Sequence, residues 1–238
     1  MNEFNSLSVI VPALNEEKSV ESTVREITAL FKKHSIDGEV ILINDGSTDR
    51  TPEIAEAVAK SDSAVKLIHH KKPAGIGGCF REGTRAATKK VVTWLPGDGE
   101  NDPYEIIKYL PLLEHVDIVN PYVINKSERT LARRILSGTY LFIVNTAFGT
   151  NFHYTNGTVL YRTRIFEKLS NKSSGFFYQT ECLVKAVKAG NIFAEVPVLL
   201  KRRSGGKSKA TSLKSAWRVA KEFIRVFIDE HFKTSKLD

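Results

Sequence analysis

The chain has 238 residues, 42% hydrophobic and 26% charged, enough for one large α/β domain and without low-complexity tracts or repeats. Its 35 Lys and Arg against 27 Asp and Glu leave a formal net charge of +8, which calls for an anionic partner: a phosphorylated ligand, an anionic membrane surface or nucleic acid. Cys79 and Cys182 have no metal-ligand spacing, no basic-then-apolar leader opens the sequence, and no run of about 18 apolar residues occurs, so a protein of a reducing, cytoplasmic compartment without a spanning helix is expected.

The first 120 residues alternate strand and helix. "SLSVIVPAL" reads as a strand, and Glu16 to Lys33 as an amphipathic helix with Val20, Val24, Ile27 and Leu30 on one face. "EVILIND" is the second strand, ending at Asp45-Gly46, with Ser47 or Thr48 placed to cap the next helix and Pro52 in its first turn. "AVKLIHH" is the third, followed by a Gly-rich loop and a helix around Phe80 to Thr88. "VVTWL" is the fourth; a helix from Pro103 to Glu114 and the strand "VDIVN" follow. This alternation predicts a doubly wound, mostly parallel sheet, whose ligands bind beyond the carboxyl ends of the strands.

After residue 125 the pattern changes. A helix over Glu128 to Phe148, the strand "GTVLYR", a helix from Gln179 to Ala189 and the strand "NIFAEVPVLLKRR" come next, with no linker, so the sheet is expected to be mixed and the domain single. Residues 1–210 form that domain, with a ligand-binding half over 1–120 and a second half over 121–210. Residues 211–238 carry an amphipathic helix, Ser212 to Phe232. Its apolar stripe runs from Leu213 to Ile228, and Lys214, Arg218, Lys221 and Arg225 occupy another side. Such a helix either docks on its own domain or lies on an anionic membrane.

The strand ends gather the chemistry. "VVTWL" runs into "PGDGENDP", where Asp98, Glu100 and Asp102 crowd beyond a core strand; alone the group reads as a solvated turn, but its place on the ligand-binding edge weighs against that. Between Lys201 and Arg218 lie seven basic residues and no acid, and Arg129, Arg133 and Arg134 form a smaller cluster. Neither is interleaved with aromatics, and no nucleic-acid-binding signature is present, so a groove for phosphates fits better than a nucleic-acid reader.

Four segments in order, "SVIVPALNEE", "VILINDGSTDRTPEIA", "KKPAGIGGCFREGTRAA" and "PGDGENDP", resemble the family 2 glycosyltransferases of the GT-A fold. "YTNGTVLYR", "GFFYQTECLVKAVKAGNIFAEVPV" and "RRSGGKSK" are similar to the branch of dolichol-phosphate mannose synthase and its bacterial polyprenyl-phosphate relatives. The resemblance implies a GT-A fold and an inverting hexose transfer from a GDP- or UDP-sugar to polyprenyl or dolichyl phosphate. It also implies Mg2+ or Mn2+ held by Asp98 and Glu100, with Pro96 where the family's first motif Asp stands. Pro12, Leu14, Asn15, Glu16, Asn44, Asp45, Ser47, Gly75, Gly77, Asp98, Arg203 and Lys207 would contact the nucleotide sugar. Arg133, Arg134, Ser137 and Arg202 would hold the acceptor phosphate. His153 stands where relatives have an Asp. A phosphomonoester, with a second pKa of about 6, needs no base; transfer to a glycan hydroxyl, the alternative, would need one, and Glu181 is the candidate. A non-catalytic nucleotide-sugar-binding protein is the remaining alternative, raised by Pro96. Work on a lipid acceptor would bring the chain to the cytoplasmic face of a membrane, through the 211–238 helix or a membrane partner protein.

Overall fold

In the computed structural model, which describes residues 4–99, 101–125, 131–169, 171–199 and 213–232 (backbone alone for 131–133 and 213–215), seven strands form one sheet. They are β1 (Ser6–Ala13), β2 (Asp37–Asn44), β3 (Val65–His69), β4 (Val91–Trp94), β5 (Ile118–Val123), β6 (Leu160–Arg162) and β7 (Phe193–Val198), in the order β3-β2-β1-β4-β6-β5-β7. The pairs β1–β2, β2–β3, β1–β4 and β5–β7 are parallel, while β6 runs antiparallel to both β4 and β5. The expected mixed α/β sheet is present, and β6 is the strand that makes it mixed.

Alternation along the strands divides the core into two layers. Leu7, Val9 and Val11 of β1 and Val40 and Leu42 of β2 face one side, with Val24 and Ile27 of α1 (Val20–Lys33) and Ala55 and Val58 of α2 (Thr51–Ser61). Ile10, Ile41 and Ile43 face the other. They join Phe80 of α3 (Ile76–Ala86), Val144 and Phe148 of α5 (Leu131–Phe148), Leu183 of α7 (Tyr178–Lys188) and Val226 of α8 (Leu213–Phe232). Strands covered on both faces read as unbroken apolar runs, which is why β1, β2 and β4 were legible.

Three local expectations differ from the structure. The helix expected over Pro103 to Glu114 is α4 (Tyr104–Ile107) followed by a 3-10 turn, Leu110–Glu114, because Pro111 has no N–H for a continuing ladder. Helix α3 begins at Ile76, directly after Gly75 at φ +78°, rather than near Phe80. At α2 the N-terminal amide of Thr51 is taken by Asp49 Oδ1 at 3.0 Å, not by Ser47 or Thr48. The short helix α6 (Ile165–Lys168) had no sequence signal of its own.

Helix α8 settles on the domain. Val226 is fully buried, and the Phe223 and Phe227 rings pack on Phe148 at centroid distances of 5.5 and 6.1 Å. Much of the apolar stripe is therefore core. Arg225, expected to meet headgroups, donates from Nη2 to the buried Glu181 Oε2 at 3.2 Å, and Lys221 lies over the Trp217 ring. The solvent side keeps Trp217 (64% exposed), Ile224 (56%) and Phe232 (72%). Val226→Asp should destabilise the protein by on the order of 3 kcal/mol by burying an unpaired charge. Trp217→Asp on the exposed side should shift stability by no more than about 0.5 kcal/mol. Urea unfolding followed by circular dichroism compares the two.

Candidate active site at the carboxyl edge of the sheet

The loops after β1 and β2 clasp one another. Asn15, at φ +59°, donates its backbone N–H to Ser47 Oγ at 3.0 Å, and its Oδ1 accepts from Thr48 N at 2.8 Å. Glu16 N donates to Thr51 Oγ1 at 2.8 Å. A non-glycine residue in the left-handed region is held only where the surroundings over-determine it, and here side-chain and backbone contacts from the second loop do so. Pro12, Leu14 and Ser47 are half-buried beside this clasp, and Asn15 is exposed.

The acid-rich loop after β4 is bound to the same place. Gly97 N donates to Pro12 O at 3.1 Å, and Ser19 Oγ donates to Gly97 O at 2.8 Å. A Cβ on Gly97 would stand 3.3 Å from both Ala13 Cβ and Pro12 O. Asp98 follows, half-buried, between Gly97 and a left-handed Gly99 at φ +70°. Asp102 acts on the backbone instead, where its Oδ1 accepts from Tyr104 N at 2.9 Å and caps α4. The described acids of the cluster thus divide into a capping acid, Asp102, and Asp98 next to the β1 loop. A cavity of about 160 Å³ opens alongside, lined by Trp94, Asn101, Asp102, Tyr154, Asn156 and Thr158 among others.

Asn44 and Asp45, at the end of β2, are 4% exposed. Asn44 Oδ1 accepts from Ser47 N, and its Nδ2 meets His69 Nδ1 at 3.0 Å. Asp45 accepts from Ala74 N at 2.7 Å and Gly75 N at 3.0 Å, and meets His70 Nδ1 at 2.6 Å. His70 Nε2 meets Glu82 at 2.6 Å. Asp45, His70 and Cys79 bring ligand-type atoms within 4.8 Å of one another. The set is complete without a metal: both imidazole nitrogens face carboxylates, and burial pushes the Cys79 thiol up, which keeps it protonated.

A model of the family described as glycosyl transferase family 2 matches residues 8–170. The chain belongs to glycosyltransferase family 2. This glycosyltransferase is 26% identical over 235 residues to the dolichyl-phosphate hexose transferase of Haloferax volcanii, covering 97% of each chain. It is 27% identical over 167 residues to the dodecaprenyl-phosphate galacturonate synthase of Rhizobium johnstonii, covering 68% of this chain and 49% of that one, so it spans about half the length of the Rhizobium protein. Its fold is similar to that of glucosyl-3-phosphoglycerate synthase from Mycobacterium tuberculosis, solved with Mn2+, UDP-glucose and phosphoglyceric acid. The TM-score is 0.72, at 16% identity, over 93% of this chain and 79% of that one. The GT-A fold expected from the motifs is the fold found.

Within this glycosyltransferase several expected site residues are held by contacts inside the protein. Glu181 is fully buried: it accepts from Lys172 N (3.0 Å) and Ser173 N (2.8 Å) and pairs with Lys185 (2.7 Å) and Arg225. Burial pushes its carboxyl up, but the Lys185 ammonium and Ser173 outweigh this and hold it below the usual value. A carboxylate so enclosed is a structural anchor and not a base for an acceptor hydroxyl. Asp45 holds the glycine loop through Ala74 N and Gly75 N, and Asn44 ties Ser47 N to His69. Gly75 and Gly77 are required by a close approach within the protein: a Cβ would lie 2.6 Å from Ser174 O at Gly75 and 2.2 Å from Ser173 O at Gly77. Arg134 is exposed on α5 and Ser137 half-buried. Glu100, Arg202, Arg203 and Lys207, together with the Arg133 side chain, lie outside the described residues. His153 Nδ1 pairs with Glu195, whose Oε1 accepts from His153 N and Asn120 Nδ2, both at 2.9 Å.

The His70–Glu82 contact escaped the sequence reading because nothing in the spacing of a strand-end His and a helical Glu twelve residues later marks them as partners. Burial alone would lower the His70 pKa; Asp45 and Glu82 outweigh it and raise the group above its ordinary 6.5. A raised histidine contributes stability that is whole below about pH 6.5 and lost as pH rises through the folded value. The melting temperature should therefore fall between pH 6.5 and the raised value, and this component should vanish in His70→Gln. Thermal scans of both proteins across that range check it.

Proposed function

We propose that this enzyme transfers a hexose, with inversion, from a nucleotide-diphosphate sugar to polyprenyl phosphate at the cytoplasmic face of a membrane. The observation that carries the reading is the end-to-end match to the Haloferax dolichyl-phosphate hexose transferase, over 97% of both chains. The burial of Glu181 supports it from the chemical side. A hydroxyl acceptor needs a base, whereas a phosphomonoester with a second pKa of about 6 is already an anion at neutral pH.

In this reading an acceptor phosphate oxygen attacks the anomeric carbon, the bond from that carbon to the donor diphosphate breaks, and the electron pair leaves with the nucleoside diphosphate. Pro12, Leu14, Asn15 and Ser47 bind the nucleoside end. The left-handed Asn15 places its backbone in the clasp, so the base and ribose meet a surface that does not reorganise. Asp98 points the acid-rich loop toward the diphosphate. The donor set suits a small hard cation, because Mg2+ or Mn2+ accepts one or two carboxylates plus diphosphate oxygens and water, and Pro96 leaves Asp98, with Glu100, as the protein's share. When bound, such an ion neutralises charge developing on the leaving diphosphate. Arg133, Arg134, Ser137 and Arg202 receive the acceptor phosphate, for which the guanidinium fork is suited. Arg203 and Lys207 meet the donor diphosphate.

Asp98→Asn should abolish transfer and the Mn2+-dependent part of the thermal shift given by UDP- or GDP-sugars, while the melting temperature without ligand stays near wild type. Full turnover by the variant, or undiminished wild-type turnover in excess chelator, would refute the assignment. A wild type that shifts with donor but turns over no acceptor would favour the non-catalytic alternative.

Access to a lipid acceptor follows from exposed apolar side chains. Ile135, Leu136, Phe142 and Ile143 on α5 stand out in solvent, as do Trp217, Ile224 and Phe232 on α8. Large exposed apolar groups of this density mark an interaction surface. No described helix is long and apolar enough to cross a membrane. The double variant Leu136→Asp/Phe142→Asp should bind anionic vesicles at least about tenfold more weakly, through lost apolar burial and added repulsion. Vesicle co-sedimentation at two salt concentrations measures it, and soluble donor binding should be unaffected.

A further inference from the structure

We infer that Glu222, on α8, is a positioning residue for the glycine loop at residues 74–78. The inference rests on the proposed donor site around Asn15 and Ser47, which the loop adjoins through Asp45. Its own evidence is a continuous set of hydrogen bonds between α8 and the loop.

The bonds begin at the segment 171–175, between α6 and α7. Glu222 Oε1 accepts from two consecutive backbone amides of this segment, Ser174 N at 3.0 Å and Gly175 N at 3.2 Å. The two preceding amides, Lys172 N and Ser173 N, go to Glu181. Arg225, one turn beyond Glu222 on α8, joins the segment and Glu181, donating to Ser173 Oγ at 2.9 Å and to Glu181 Oε2 at 3.2 Å. Four successive amides are therefore held by two buried carboxylates, and one of these carboxylates comes from α8.

The carbonyl side of the same segment meets the glycine loop. Gly77 N donates to Ser174 O at 3.0 Å. At Gly75 and Gly77 the fit leaves no room for a Cβ against the carbonyls of Ser174 and Ser173. Gly75 N is in turn held by Asp45 at the end of β2. A peptide whose N–H is fixed by Glu222 and whose carbonyl is fixed by Gly77 transmits a shift of α8 to the loop with little slack.

Glu222 holds this place against its own solvation. The residue is 8% exposed, and its Oε2 is buried with no hydrogen-bond partner. A buried carboxylate with one unsatisfied oxygen is unfavourable unless its other oxygen meets a need. Here that need is a pair of amides in a segment that has no strand or helix partner for them. The Cβ that Gly175 lacks would fall 2.8 Å from Arg218 Cδ and 3.3 Å from Glu222 Oε2, so the helix and the segment are fitted closely. Helix α8 also lies beyond the residues that the family model matches, 8–170.

The test compares Glu222→Ala with Glu222→Gln, whose side-chain carbonyl can still accept from both amides, and with Val226→Ala, which weakens the docking of α8 without touching the segment. Two readouts are used: hydrogen exchange of residues 74–78, and the KM for donor set against kcat and the acceptor KM. Glu222→Ala should speed exchange at 74–78 and raise donor KM about tenfold, as expected for a displaced binding element, with kcat and acceptor KM within about twofold. Glu222→Gln should restore most of both. Val226→Ala should lower the melting temperature and leave both readouts near wild type. Should Glu222→Ala not fold, Glu222→Asp, too short to reach both amides, takes its place. If the Glu222 variant lowers stability while exchange at 74–78 and donor KM stay at wild-type values, the inference is overturned and the residue is merely structural. If the wild type binds no nucleotide sugar, the functional proposal fails, and the exchange measurement by itself decides the role of Glu222.

Discussion

Asp45, Glu181 and Glu222 each accept hydrogen bonds from two consecutive backbone amides, at residues 74–75, 172–173 and 174–175. The loops leaving a parallel sheet carry amides that no strand or helix satisfies, and a buried amide without a partner is costly. Carboxylates fill this need well, because each oxygen offers more than one lone pair and charge strengthens the bond. All three side chains are less than 9% exposed, so their charges are kept in the interior only by what they bond. The glycine loop, the 171–175 segment and α8 are consequently one connected body.

The same constraint explains why the glycines are where they are. Gly75 and Gly77 admit the carbonyls of Ser173 and Ser174 at distances a Cβ would forbid, and Gly97 admits the end of β1. These close approaches draw the loops after β1, β3 and β4 and the second half of the chain to a single edge. That edge carries Asp98 and, beside it, the cavity lined by Trp94, Asn101 and Tyr154. The second half of the chain meets this edge where β6 enters antiparallel and brings 154–158 against the end of β4; Trp94 Nε1 donates to Gly157 O at 3.2 Å across that junction.

Charge is distributed along the same lines. Anchoring acids are buried and neutralised by amides, by Lys185 and Arg225 at Glu181, or by His70 at Asp45. Other acids, such as Glu21, Glu53 and Glu56, stand at the surface, each paired with a basic neighbour on its own helix or at its start.

The sequence by itself determined the layered α/β fold, the family, and the place of Asp98 just beyond the end of β4. Those features rest on local pattern: apolar runs for strands buried on both faces, helical periodicity, and motifs whose residues are neighbours along the chain. The tertiary structure decided what long-range contacts decide. Glu181 looked like a free acid because its partners, Arg225 and the amides of Lys172 and Ser173, come from other turns and another helix. The partners of Asp45, which are Ala74, Gly75 and His70, likewise lie 25 to 30 residues along the chain. Helix α8 was amphipathic from its sequence, but which of its faces is core depended on where Phe148 and Phe177 stand. A carboxylate reads the same in sequence whether it faces water or two amides, and only the folded chain brings those amides to it.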